Sequence, residues 1–305
     1  MFFTLALGAV GTLLGMCFAK YKMRNFKSVC YAKQNMRNFR IVILLGLIVA
    51  VIPMIHVAHA LTLGRTIRYL EIEFRSANWP TELDGYRIAF MTDMHVISDD
   101  SMRRVTAELN SRNLNLLLLG GDFSMRSDHY RGTIREISKI ITTDGIFGVE
   151  GNHDNYRRLF RAKEQYGITP LDNAGVHIRD GFYLAGVQDM WNRRPCITTA
   201  VAGAYENDFI LLVSHNPDVS MVQPTAGIDL ILAGHTHRGQ VAFFGYPMYL
   251  LWGSITDYGT RFGHGFAYSA AGVPVFTSSG VGVYYMLPRI FARPEVVIFT
   301  MYSER

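Results

Sequence analysis

Two kinds of hydrophobic pattern divide the chain. Up to Leu63 the apolar residues run together: Phe2–Ala19 and Ile41–Leu63 contain no Asp, Glu, Lys or Arg. Runs of this length approach or exceed the ~18–20 residues with which a helix crosses a bilayer. The pattern predicts transmembrane helices over residues 1–19 and 41–63, a basic cytoplasmic loop over 20–40 between them, and a separate domain over 64–305. From Arg65 onward short apolar runs alternate with polar stretches, which is the pattern of an α/β domain. The runs predict strands at Arg87–Met91, Leu114–Leu119, Ile146–Val149, Phe182–Ala185, Phe209–Val213, Leu230–Ala233, Val273–Thr277 and Glu295–Thr300. Charged and apolar residues interleave at three- and four-residue spacing over Ser101–Arg112, Tyr130–Thr142 and Tyr156–Tyr166, predicting helices there.

The polar residues that follow these strands are not a random set. Arg87–Met91 leads into Thr92-Asp93-Met94-His95, and Leu114–Leu119 into Gly120-Gly121-Asp122. Ile146–Val149 leads into Glu150-Gly151-Asn152-His153-Asp154, Phe209–Val213 into Ser214-His215, and Leu230–Ala233 into Gly234-His235-Thr236-His237. Ligands of open α/β sheets bind at the carboxyl ends of strands, so five clusters can converge on one cleft. Any one alone reads as a helix cap or a structural histidine; five in register with strand ends do not. Gly121, Gly151 and Gly234 are expected to allow the turns that swing the next side chain inward.

Charge adds little to the domain itself. Seven of the 30 Lys and Arg (Lys20, Lys22, Arg24, Lys27, Lys33, Arg37, Arg40) lie between the two apolar segments with no acidic residue among them. By the positive-inside rule they hold that segment in the cytoplasm, so a spanning Ile41–Leu63 places the rest on the outer face. The remaining 23 basic residues face all 25 Asp and Glu, which leaves the domain near neutral and gives no reason to expect nucleic acid as a partner. Ala58-His59-Ala60 resembles a signal-peptidase site, so tethering and release both stay open. Cys17, Cys30 and Cys196 allow no disulfide within the domain, which carries only the last. Cys196 is read as structural.

Carboxylate, imidazole and amide side chains together suit Mn²⁺, Fe²⁺ or Zn²⁺, and seven such ligands exceed one tetrahedral site. Two divalent ions are implied, an arrangement that clamps both oxygens of a phosphoryl centre. Through D-x-H (Asp93, His95), G-D (Asp122), G-N-H-D (Gly151–Asp154), His215 and G-H-x-H (Gly234–His237), the sequence resembles the calcineurin-like metallophosphoesterase family from Tyr86 onward, and its membrane-anchored or exported bacterial branch in particular. The resemblance implies a four-layer α-β-β-α sandwich of two mixed sheets. It implies one metal on Asp93, His95, Asp122 and His237, a second on Asp122, Asn152, His215 and His235, and hydrolysis of a phosphodiester or pyrophosphate by a metal-bridging hydroxide. His153 would approach the scissile phosphate as an acid or charge stabiliser, with Asp154 orienting it.

Two positions depart from the pattern. Phe-Ser-Met follows Asp122 where many relatives place a further Asp three residues on, and Arg238 stands where the branch often has Gly, either as a phosphate clamp or as a surface residue. His56 and His59 fall in the second apolar segment, while His129, His177 and His264 match no motif. The expected partners are a membrane and a small or lipid-linked phosphoester, with Phe243–Trp252 and Val283–Phe291 either packed in the core or forming an apolar rim that receives a lipid tail. A UDP-2,3-diacylglucosamine pyrophosphatase-like hydrolase facing the cytoplasm is the alternative. A non-catalytic binding module on the same fold is disfavoured because every ligand position is filled.

Overall fold

The computed structural model describes residues 29–124, 127–154, 165–191, 193–243, 246–247, 255–284 and 289–304. The chain forms two units, divided between Thr62 and Leu63. In the first, a 33-residue helix runs over Val29–Leu61, and the stretch Asn35–Arg65 is long and apolar enough to cross a membrane. Its apolar side chains, among them Leu44, Leu47, Ile52 and Met54, are exposed. Residues 29–40, part of the basic segment between the two apolar runs, are helical. No Gly or Pro interrupts them, and their Lys, Arg, Gln and Met are good helix formers. The first predicted span, over 1–19, lies outside the described residues.

The second unit is built on two six-stranded mixed sheets, and also holds a two-stranded antiparallel ribbon of β10 (Ala242–Phe243) and β11 (Tyr246–Pro247). The first sheet has the order β1 (Arg68–Ser76), β14 (Glu295–Ser303), β2 (Tyr86–Met91), β3 (Leu116–Leu119), β4 (Ile146–Gly148), β5 (Ile168–Pro170). The second has the order β12 (Gly265–Tyr268), β13 (Pro274–Thr277), β9 (Leu230–Ala233), β8 (Phe209–Val213), β7 (Phe182–Gly186), β6 (Ala174–Arg179). β2 through β5 run parallel, as do β13, β9, β8 and β7; β14 against β2, β12 against β13 and β6 against β7 are antiparallel.

The central strands are continuous apolar runs because both of their faces are covered. In β2, Ile88 and Phe90 point between the sheets, while Ala89 and Met91 point to the helical side. Leu116 and Leu118 of β3 meet Phe182, Phe209, Leu211 and Leu232 of the other sheet in the inter-sheet core. Outside the first sheet lie helices Asp99–Asn110 and Ser127–Ile137. The former starts two residues before its predicted position, because Ser98 caps it by accepting from the Ser101 N–H and Asp99 and Asp100 complement its dipole. Over the second sheet Ile197, Ala200 and Val219, from single-turn helices, and Phe262 form the outer core. The layering is thus the expected sandwich, with a thin helical layer on one side among the described residues. Most of the third predicted helix, Tyr156–Tyr166, lies outside the described residues.

Candidate metal centre

Every predicted ligand leaves the carboxyl end of a strand in one of the two sheets: Asp93 and His95 after β2, Asp122 after β3, Asn152 after β4, His215 after β8, and His235 and His237 after β9. Register aligns these ends, since Met91 pairs with Leu119, Leu119 with Gly148, and Val213 with Leu232. The turns that follow are unusual. Asp93, His95, Asp122, His235 and His237 all have left-handed backbone, with φ between 34° and 70°. Non-glycine residues are held there only when their surroundings over-determine them, at ~1–3 kcal/mol each.

The donor atoms fall into two groups that share one oxygen. Asp122 Oδ2 lies 3.2 Å from His95 Nε2 and 3.3 Å from His215 Nε2. On one side, His95 Nε2 is 2.9 Å from His237 Nε2, which is 3.3 Å from Asp93 Oδ1. On the other, Asn152 Oδ1 is 3.0 Å from both His215 Nε2 and His235 Nδ1. Asp93, His95, His237 and Asp93, Asp122, His215 each converge closely enough to hold an ion. The donor set fits divalent metals: Asp93 Oδ1 is buried with no hydrogen-bond partner among the described residues, a costly state that a cation relieves.

The charges reflect this crowding. Burial raises the Asp122 carboxyl, but His215 and His95 outweigh it and hold it well below the usual carboxylate range. Burial lowers His215, yet Asp122 and Asp93 bring it up to about 10. Burial and then His215 push His235 down to about 3, and burial with His95 and Arg289 pushes His237 well down. Asp93 is raised, first by burial.

The G-N-H-D turn supports Asp122. Asp122 Oδ1 accepts the His153 N–H at 2.8 Å. The Asp154 carboxylate accepts from the backbone N–H groups of Asp122 (2.6 Å), Gly151 (2.9 Å) and Phe123 (3.0 Å). It therefore ties the two ligand loops together through their backbones. The His153 ring is exposed beside the cluster, its centroid 5.3 Å from that of His95. Arg238 follows His237 with φ 52°, and its guanidinium makes no hydrogen bond or ion pair with the described residues.

The glycine expectation is right for one residue and needs correction for two. Gly121 has φ 92°. Gly151 and Gly234 are needed for close approach instead: a Cβ would stand 2.3 Å from Asp122 Oδ1 at the former, and 2.2 Å from Thr92 Oγ1 and 2.4 Å from Asp93 Oδ2 at the latter.

Four residues at the centre were not among the predicted site residues. Arg289 donates to His237 Nδ1 across 3.2 Å. Gln240 exchanges two hydrogen bonds with the Tyr284 backbone, which sets that ring 5.3 Å from His95 and 5.4 Å from His153. Trp191, 56% exposed, stands edge-on to His235 at 4.5 Å. None of them directly follows a predicted strand. His177 and His264 pair elsewhere, with Asp208 and Glu295, and Cys196 contacts Thr199. Of the two aromatic stretches, 244–245, 248–254 and 285–288 lie outside the described residues.

Residues 86–239 match the family model of the calcineurin-like phosphoesterases. An uncharacterized metallophosphoesterase of Helicobacter pylori is 27% identical over 226 residues, 70% of this chain and 58% of that one. The metallophosphoesterase YkuE of Bacillus subtilis is 26% identical over 257 residues, 78% and 86% of the two chains. A transmembrane protein with metallophosphoesterase domain of Danio rerio is 23% identical over 252 residues, 75% of this chain and 56% of that one.

Proposed function

The chain belongs to the calcineurin-like phosphoesterase family, and on that premise we propose that it is a membrane-associated metal-dependent hydrolase of a phosphodiester or pyrophosphate. The observation that carries this reading is the pair of donor groups meeting at Asp122 Oδ2. Asp93, His95, Asp122 and His237 would hold one divalent ion, and Asp122, Asn152, His215 and His235 the other, with Mn²⁺, Fe²⁺ or Zn²⁺ suited to this mixture of oxygen and nitrogen. Bound there, two such ions neutralise phosphoryl charge and make water a nucleophile near neutral pH.

The chain's own groups supply the rest. The His153 N–H keeps Asp122 Oδ1 in place, so Asp122 Oδ2 is the oxygen that would serve both ions. The exposed His153 imidazole, beside His95, would pass a proton to the leaving oxygen. The Asp154 carboxylate keeps both loops at fixed spacing. The Tyr284 ring packs against His95 and His153 on one side of the centre.

The apolar helix Asn35–Arg65 supports membrane association, as does the transmembrane relative. Seven unopposed cations before it favour the domain on the outer face, where a lipid-linked phosphoester is within reach. Protease added to intact spheroplasts should then digest the domain; complete protection until lysis would reverse the orientation.

The central test is metal content measured beside turnover of a phosphodiester panel. Two divalent ions per chain are expected, and Asp122→Asn should cost more activity than loss of any single terminal ligand. His153→Ala should keep both ions and lower kcat by roughly 10²–10⁴. Normal turnover by Asp122→Asn at full metal occupancy would refute the assignment.

A further inference from the structure

The two donor groups differ in what holds their histidines. Around Asp122, Asn152, His215 and His235, each imidazole turns its far nitrogen to a backbone carbonyl: His215 Nδ1 lies 2.8 Å from the Gly120 oxygen and His235 Nε2 lies 3.2 Å from that of Ile255. Such a contact fixes the proton on the far nitrogen, sets the ring's orientation and raises the basicity of the ligating nitrogen. Around Asp93, His95, Asp122 and His237, neither histidine has one. His95 Nδ1 is buried with no hydrogen-bond partner among the described residues, and His237 Nδ1 faces the Arg289 guanidinium at 3.2 Å.

Arg289 is the larger anomaly. It is fully buried, with Nε donating to the Gly282 oxygen at 2.6 Å and Nη1 to those of Ser279 and Ala292 at 2.6 and 3.3 Å. None of these partners is a carboxylate; Asp93 and Glu295 act on it only through space. A guanidinium has no acceptor, so it cannot take the proton that a ligating His237 would carry on Nδ1, and its charge repels a cation across that ring. The Asp93 group has one carboxylate more than the other, which by itself would favour its ion. The Arg289 charge offsets that carboxylate, so the histidine contacts decide.

We propose that the two metal positions are unequal: the ion on Asp122, Asn152, His215 and His235 is held tightly, the ion on Asp93, His95, Asp122 and His237 is held weakly and exchanges, and Arg289 sets the difference. The inference rests on the two-metal reading above. Loss of a histidine's carbonyl or carboxylate contact costs ~10–100-fold in metal affinity, which is the gap expected.

The test is a Co²⁺ titration of the metal-free full chain in detergent, followed by absorption and calorimetry, with no substrate present. Two binding phases ~10–100-fold apart are expected. His237→Ala should abolish the weak phase alone and His215→Ala the tight one. Arg289→Gln, which removes the charge and offers an acceptor oxygen, should bring the two within a few-fold. Arg289→Lys, which keeps the charge, should preserve the gap, and it carries the test if the Gln variant does not fold. Equal affinities in the unmodified chain, survival of the weak phase in His237→Ala, or collapse of the gap in Arg289→Lys would overturn the proposal while leaving the metal centre intact. Failure to bind Co²⁺ at all would remove the metal-centre reading itself.

Discussion

Asp154→Asn is nearly isosteric, so its effect isolates the hydrogen bonds that join the two ligand loops. Asp154 Oδ2 accepts from Asp122 and Gly151, and Oδ1 from Phe123. An asparagine can place its one oxygen at the Oδ2 position and keep two of the three. Its amide nitrogen then faces the Phe123 N–H, donor against donor. Phe123 is fully buried, so water does not replace the lost acceptor, and an unmet buried N–H costs ~1–3 kcal/mol. Burial and then Asp122 push the Asp154 carboxyl up to about 8, so near neutral pH the two surviving bonds change little. The loss of about 1–3 kcal/mol corresponds to a fall in Tm of roughly 2–12 °C for a domain of this size. Because the broken contact adjoins Asp122, metal affinity should also fall by ~10–100-fold, the usual effect of losing support for a ligand. Thermal unfolding by circular dichroism, with metal content on the same sample, measures both. A variant with the parent Tm and full metal occupancy would show that the Asp154 carboxylate does not join the loops.

Two further outcomes follow from particular contacts. Gly234→Ala should lose metal even though Ala is the smallest side chain with a Cβ, because that atom would stand 2.4 Å from Asp93 Oδ2; overpacking of ~1–3 kcal/mol should accompany it, and unaltered metal content would count against the placement of Asp93. Glu295, with its side chain 1% exposed, is raised by burial but lowered more by His264, the Ser279 N–H and Arg68, to about 2 from 4.5. A carboxyl depressed in the folded state stabilises above its unfolded pKa and loses that contribution as pH falls through the folded one. The Tm gap between the parent and Glu295→Gln should therefore be full above pH ~4.5, worth about 3 kcal/mol, and close towards pH ~2; a gap independent of pH would contradict it.

The sequence alone determined the strands that are buried on both faces. β2, β3, β8 and β9 are legible because a continuous apolar run between turn residues has few other places to go. It also determined which polar residues end those strands, and so the six side chains that the fold gathers with Asp122. β1 was not legible: its residues alternate with charges, and it becomes a strand by pairing over nine residues with β14, more than 200 positions away. β12, half exposed at a sheet edge, is likewise defined by its partner β13.

Around the centre the same division holds. Tertiary structure alone decided the left-handed backbone of five of the seven predicted ligands, since no local sequence imposes it and only the packed loops compensate its cost. It alone brought in Arg289 and Tyr284, which arrive from a loop that runs beside Thr92–Val96 through backbone bonds from Val281 to Thr92 and from Gly282 to Asp93. Residue type and spacing reveal chemistry where a strand end fixes direction. They are silent where a distant loop is laid against the site, because closing that loop is rewarded only by contacts that exist once the two sheets have packed.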